Sequence, residues 1–275
     1  MPEVILTVNG KRYAGWTSVR VQIGMEQISG AFELAYTERW PKQAEPWPLR
    51  RGDACAVDIG DETLITGYID ETRVRFSARS HELSVSGRDA ACDLVDCSVA
   101  STPGQWTGRT VTQIVTDLVR PFGLRVAALT DVGAPLKKPF GVQEGETVFD
   151  AIDRACRYRG VLPVSDGIGG LWLIRPGSSR APVALVEGVN LLEGDAWASD
   201  RDRYSVYTIK GQDAGTDDST PEHNAGPSAS AEDKTMTRRR PLTILAENAC
   251  DTANLKERAV WEAAVRKGRA ERVTV

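Results

Sequence analysis

The sequence predicts a β-rich α+β protein, with two antiparallel β-barrel-like domains around a small α+β domain. Three observations lead there. Short runs of alternating apolar and polar residues fill roughly the first ninety positions. Helical periodicity is confined to the middle of the chain and to a segment near its C-terminus. Strand-like alternation returns near Ala181.

In the first region, Val4, Leu6 and Val8 alternate and run into Asn9-Gly10, a strong two-residue hairpin signal. Val19, Val21 and Ile23 give one apolar face, and Phe32, Leu34 and Tyr36 repeat the pattern. Cys55-Val57-Ile59 is followed by a turn at Gly60-Asp61, then by Thr63 to Ile69; Val74, Phe76, Leu83 and Val85 close the set. Such a series of short strands with turn residues between them predicts a small barrel or sandwich filled by its own side chains, without a ligand cavity. A loop from Trp40 to Pro48 interrupts it, because Pro41, Pro46 and Pro48 lack the N–H a ladder needs.

After Gly87 the pattern changes. Asp89 is placed to cap a short helix through Leu94 and Val95. Thr110 and Gln113 match a capping box ahead of the stripe Val111, Ile114, Val115, Leu118 and Val119, and Pro121 and Gly123 end that helix. A third helix starts near Thr147 and Asp150, turns Val148, Ile152, Ala155 and Cys156 inward, and ends at Gly160. Residues 161–174 read as a hairpin turning at Asp166 to Gly170.

In the last region Val183, Leu185, Leu191 and Leu192 lead to a strand at Tyr204 to Lys210. Val85-Ser-Gly-Arg-Asp-Ala90 echoes Ile209-Lys-Gly-Gln-Asp-Ala214, which suits two related β-domains. Residues 212–236 are poor in large apolar side chains and read as a mobile loop. A helix over 252–270 turns Leu255, Ala259, Val260 and Ala263 inward, and Val273-Thr-Val275 starts a strand. The expected domains are therefore 1–96, 97–180 and 181–275, with the second barrel incomplete.

Composition narrows the function classes. The 275 residues carry a net charge of −4, against nucleic-acid binding as a main task. There is neither a basic-then-apolar leader nor an apolar stretch of about 18 residues, which predicts a soluble product made in a cytoplasm, without membrane insertion. Cys55, Cys92, Cys97, Cys156 and Cys250 are odd in number and irregularly spaced, fitting buried reduced thiols better than disulfides. With only His81 and His223, neither zinc spacing nor a nucleophilic triad is supported. Asp150 and Asp153 share a helix face as ordinary surface carboxylates do, and Gly167, Gly169 and Gly170 occupy a hairpin turn, not a phosphate loop. No catalytic, cofactor-binding or metal-binding residue is assigned. Trp40 and Trp47 are compatible with plugging a barrel end, anchoring a protein interface or stacking on sugar.

Several stretches, in order, resemble the Mu-type phage baseplate hub proteins, related to the late-control and tail-hub proteins of contractile tails. They are Leu6-Thr-Val-Asn-Gly-Lys-Arg-Tyr13 with Gly15 to Val19; Ile65-Thr-Gly-Tyr-Ile-Asp70; Val85-Ser-Gly-Arg-Asp89 with Asp93-Leu-Val-Asp-Cys97; Gly145-Glu-Thr-Val-Phe-Asp-Ala-Ile152; Arg159-Gly-Val-Leu162; and Tyr207-Thr-Ile-Lys-Gly-Gln212 with Arg240-Pro-Leu242. The resemblance implies a non-enzymatic virion protein without cofactors. It implies a homotrimer whose paired β-domains form a ring between the tail tube or tape-measure proteins and the puncturing spike, with DNA passing through without specific binding. It also implies that family members extend beyond Val275. Two other readings remain: a hub-like component of a type VI secretion spike, which shares the architecture, and a cell-wall sugar-binding or degrading domain.

Overall fold

The computed structural model describes residues 3–37, 49–77, 81–100, 104–175, 182, 184–191, 193–211, 226–246 and 252–274. The chain divides into two compact units. One comprises Met1–Pro135, Phe140–Asp153 and Pro163–Ile174, and the other Leu136–Pro139, Arg154–Leu162 and Arg175–Val275.

The first unit is built on β1 (Val4–Val8), β2 (Lys11–Tyr13), β3 (Ser18–Gln22), β4 (Ala31–Thr37), β5 (Ala54–Ile59), β6 (Glu62–Phe76) and β7 (His81–Asp89). They form one sheet in the order β2-β1-β5-β6-β7-β4-β3, every pairing antiparallel. Asn9 (φ 50°) and Gly10 (φ 75°) make the expected tight turn between β1 and β2. Alternation does what the pattern predicts: Leu6, Val8, Phe32, Leu34, Cys55, Val57, Ile65, Ile69 and Val85 share one core. Tyr13 of β2 and Val21 of β3 pack against that same cluster, so the sheet curls around a single interior. The curl is open, since no pairing joins β2 to β3 among the described residues. The chain is thus β-rich and mixed with helices, as expected, but among the described residues the first β-region is an open curled sheet with edges at β2 and β3.

At 15 residues, or about 50 Å, β6 is long enough to serve two neighbours. It pairs with β5 through Tyr68 and with β7 from Gly67 onward. A bulge between Ile69 and Glu71 lies just past the handover.

The rest of this unit carries α1 (Cys92–Asp96), β8 (Gln105–Trp106), α2 (Val111–Val119), β9 (Arg125–Ala128), β10 (Phe140–Gly141), α3 (Val148–Arg157, with Val148–Asp153 in this unit), β11 (Leu162–Ser165, with Pro163–Ser165 in this unit) and β12 (Gly170–Ile174). The capping box of α2 is present: Gln113 N–H donates to Thr110 Oγ1 at 3.3 Å, and Thr110 N–H donates to Gln113 Oε1 at 3.0 Å. All five residues of its predicted stripe are buried. Gly123 (φ 71°) ends the short 3-10 turn that follows. Thr147 caps α3, accepting from Asp150 N–H at 3.1 Å and donating its hydroxyl to the Asp150 carboxylate at 2.7 Å. β11 and β12 form the predicted hairpin, and β9 joins β12 in parallel.

The second unit holds β13 (Asp195–Ala198), β14 (Val206–Lys210), β15 (Ser228–Glu232), β16 (Pro241–Leu245), α4 (Thr252–Arg269) and β17 (Glu271–Thr274). β14 lies between β15, antiparallel to it, and β16, parallel to it. This corrects the expectation of a purely antiparallel second barrel: the chain crosses β14 between β15 and β16, and such a crossing leaves no mark in local periodicity. It also corrects the expected loop over 212–236. Residues 212–225 lie outside the described residues, but 228–232 are the strand β15, a small-residue strand of Ser and Ala. Ile209, Ala231, Ala246, Leu255 and Ala259 make the core under α4. The helix spans what was expected, with one change of face: Val260 is exposed, and Arg258 and Glu262 are buried as an ion pair at 3.1 Å. Gly160 (φ 55°) has only 3.3 Å between an added Cβ and the Trp261 side chain, so it both turns the chain and admits α4.

Candidate interaction surfaces

Motifs far apart in the sequence meet around the bulge in β6. The bulge turns Asp70 toward β7, where Arg88 Nε donates to Asp70 Oδ2 at 2.7 Å. Arg88 Nη2 donates to Asp96 Oδ2 at the end of α1, also at 2.7 Å. The carboxylates, Asp70 foremost, raise the already high pKa of Arg88, and the Arg88 hydrogen bond holds Asp96 below the usual carboxylate range. All three side chains are a third to a half exposed. Solvent screens such pairs, so their main effect is to fix α1 and the bulge in one orientation.

The neighbouring Asp89 is buried. Its carboxylate accepts from the N–H groups of Gly30 and Ala91 and from the Ser165 hydroxyl, each at 2.9 Å. This differs from the expected helix cap: Ala91 is the residue preceding α1 and no side chain caps it. Asp89 instead ties the start of β4, the end of β7 and the β11 hairpin together. The same hairpin is fastened to β6 by Thr66 N–H donating to Gly167 O at 2.7 Å.

Asp70 and Arg88 border a cleft of about 370 Å³ over β3, β4 and β7. Gly87 and Phe32 line it alongside Arg20, Glu33, Asp70 and Arg88. Gly87 is required there: a Cβ would lie 2.1 Å from Tyr68 O and 2.7 Å from the Phe32 ring. At Gly211, the other glycine of the echo, a Cβ would lie 3.0 Å from the Pro227 ring; residues 212–214 of the echo lie outside the described residues.

In the second unit, Asp233 is buried against Arg203 Nε at 2.7 Å and accepts from Thr235 N–H at 3.0 Å and the Thr235 hydroxyl at 2.6 Å. The Arg203 hydrogen bond above all holds the Asp233 carboxyl far below its ordinary range. Arg240 lies over the Tyr204 ring at 5.0 Å and donates to the carbonyls of Asp200 and Arg201 at 2.7 Å. Among the described residues, β13 and β17 pair only with each other, and all eight of their residues are exposed.

Burial pushes the thiols of Cys55 and Cys92 up to about 12, far from the thiolate a nucleophile needs. No group of three metal-ligating side chains occurs among the described residues. His81 opens β7, and His223, Cys250, Trp40 and Trp47 lie outside the described residues. No described helix is long and apolar enough to cross a membrane.

Two family models match in tandem. The N-terminal domain of the Mu phage baseplate assembly protein GpP-like family matches residues 3–89, and the second domain of the baseplate hub protein gp44-like family matches residues 91–175. The baseplate hub protein gp44 of Escherichia phage Mu is 37% identical over 265 residues, spanning 94% of this chain and 69% of that protein. The chain belongs to the Mu-type baseplate hub family. This hub protein is accordingly a component of the virion tail baseplate, where hub proteins associate with other tail components. Its fold is shared with the 43 kDa tail protein of prophage MuSo2 from Shewanella oneidensis, at a TM-score of 0.85 and 35% identity over 99% of this chain and 81% of that one. A tail protein from Neisseria meningitidis MC58 has a TM-score of 0.79 at 24% identity, covering 98% and 78% of the two chains, and supports the fold alone.

The residues that meet at Arg88 all sit in stretches legible as family motifs, yet the ion pairs linking Asp70, Arg88 and Asp96 could not be read from them. Their separations follow no single helical or strand period: the bulge in β6 presents Asp70, and α1 following β7 presents Asp96.

Proposed function

We propose that this hub protein works as a non-enzymatic structural subunit, forming a homotrimeric ring that joins the tail tube to the puncturing spike. The observation that carries the reading is the open curled sheet of the first unit, whose outer strands β2 and β3 have no further strand partner among the described residues. Unpaired strand edges are templates for association, and a closed ring of copies satisfies them. Lys11 and Arg12 on β2 and Arg20 on β3 protect those edges from indiscriminate pairing. In this reading the working parts are 1–96, 97–180 and 181–275, with Trp40 and Trp47 as interface anchors against neighbouring tail proteins. The net charge of −4 suits a channel through which DNA passes without specific binding. Sedimentation equilibrium of the purified protein over a wide concentration range tests the ring. A threefold mass supports it, and a monomer at every concentration rejects it.

A further inference from the structure

The two family matches meet at residues 89–91, and a domain boundary normally falls in an exposed linker with few bonds across it. Here the boundary is buried and bonded. Asp89 and Ala91 are 1% and 2% exposed. Asp89 N–H donates to Gly30 O at 3.0 Å, Ala90 N–H to Thr66 O at 3.0 Å, and Ala91 N–H to the Asp89 carboxylate at 2.9 Å. The passage from one domain to the next therefore has every amide engaged, with no slack on which to turn.

The turn between β11 and β12 comes back across the same boundary from far along the chain. The Ser165 hydroxyl donates to Asp89 Oδ2 at 2.9 Å and accepts from Gly167 N–H at 3.0 Å. Gly167 O in turn accepts from Thr66 N–H at 2.7 Å, so the turn adds one main-chain rung to β6. Gly167 has φ 77°, and a Cβ there would lie 2.2 Å from Leu64 O, so only glycine lets the two backbones approach this closely. Two separate crossings, at 89–91 and at 165–167, restrain rotation that a single linker would permit.

We propose that the β11–β12 turn is a latch. It locks the seven-stranded sheet to the layer of α2, β9 and β12, so that both move and open as one body. A baseplate subunit built this way passes load from one domain into the next without yielding where they join. The latch goes beyond the ring reading and holds whether or not copies associate.

Hydrogen exchange of the full chain tests it, read at amides of β4 and β7 on one side and of α2 on the other. In the wild type the two sets are expected to share one opening constant, within about threefold. Gly167→Ala wedges the turn off β6, and Ser165→Ala removes the hydroxyl between Asp89 and Gly167. Either change is expected to separate the two sets by about tenfold or more, one opening while the other stays closed. Ile168→Ala, at an exposed position in the same turn, should leave them together. Unchanged exchange in both variants, or a loss of protection shared equally by the two sets, overturns the latch. Opening constants already separate in the wild type overturn it as well. If Gly167→Ala does not fold, Ser165→Ala decides alone.

Discussion

Replacing Gly67 by alanine tests the account of how β6 passes from one partner to the other. In the middle of a strand such a change ordinarily helps, because alanine loses less backbone freedom on folding. Here the sign reverses. A Cβ on Gly67 would lie 2.0 Å from Arg88 O, 2.6 Å from Asp89 Cα and 2.7 Å from Asp89 C. All three are backbone atoms, so no side-chain rotation relieves the overlap; β6 and β7 must separate where they cross most closely. Overpacking of a core costs about 1–3 kcal/mol, and a purely backbone clash belongs at the top of that range. For a unit of this size about 3 kcal/mol corresponds to a fall of roughly 6–12 °C in its unfolding midpoint. Differential scanning calorimetry reads that fall directly. Gly104→Ala is the control, since a Cβ there meets nothing within 4 Å. A Gly67→Ala protein melting within about 2 °C of wild type would refute the argument, for it would mean the two strands are not held at that distance.

Asp89→Asn should destabilise the first unit by about 2–3 kcal/mol, because an amide nitrogen must replace one oxygen that now accepts hydrogen bonds; the denaturant midpoint checks this, and an unchanged value removes Asp89 as a tie. The Asp233 carboxyl is held down in the folded state, so its contribution is fully present above the ordinary carboxylate pKa of about 4 and is lost as pH falls further. Acid titration of the second unit should therefore show stability falling below about pH 4, and Asp233→Asn should flatten that fall while costing about 3 kcal/mol at neutral pH.

Helix α2 shows how much can be read locally. Its capping box, its buried stripe and its stop at Gly123 all depend on residues within one or two turns of each other. The turn at Asn9-Gly10 and the β11–β12 hairpin are legible for the same reason. The second half of the expected 212–236 loop went the other way. Ser228–Glu232 has no large apolar residue to announce a strand, and it becomes one because β14 offers a ladder and Ala231 fits under α4. On α4, Val260 faces out and the Arg258–Glu262 pair is buried, a choice of face that a hydrophobic pattern does not carry.

By itself, the sequence determined the element types, the alternation that builds the first core and membership of a baseplate hub family through collinear motifs. Only the tertiary structure decided that the first sheet stays open and that β16 runs parallel to β14. It also decided that Asp70, Arg88 and Asp96 meet, and that Asp89 is an internal tie. The division is physical: propensity and periodicity act over a few residues along the chain, whereas strand order, a bulge's aim and a buried carboxylate's partners depend on segments brought together from many residues away.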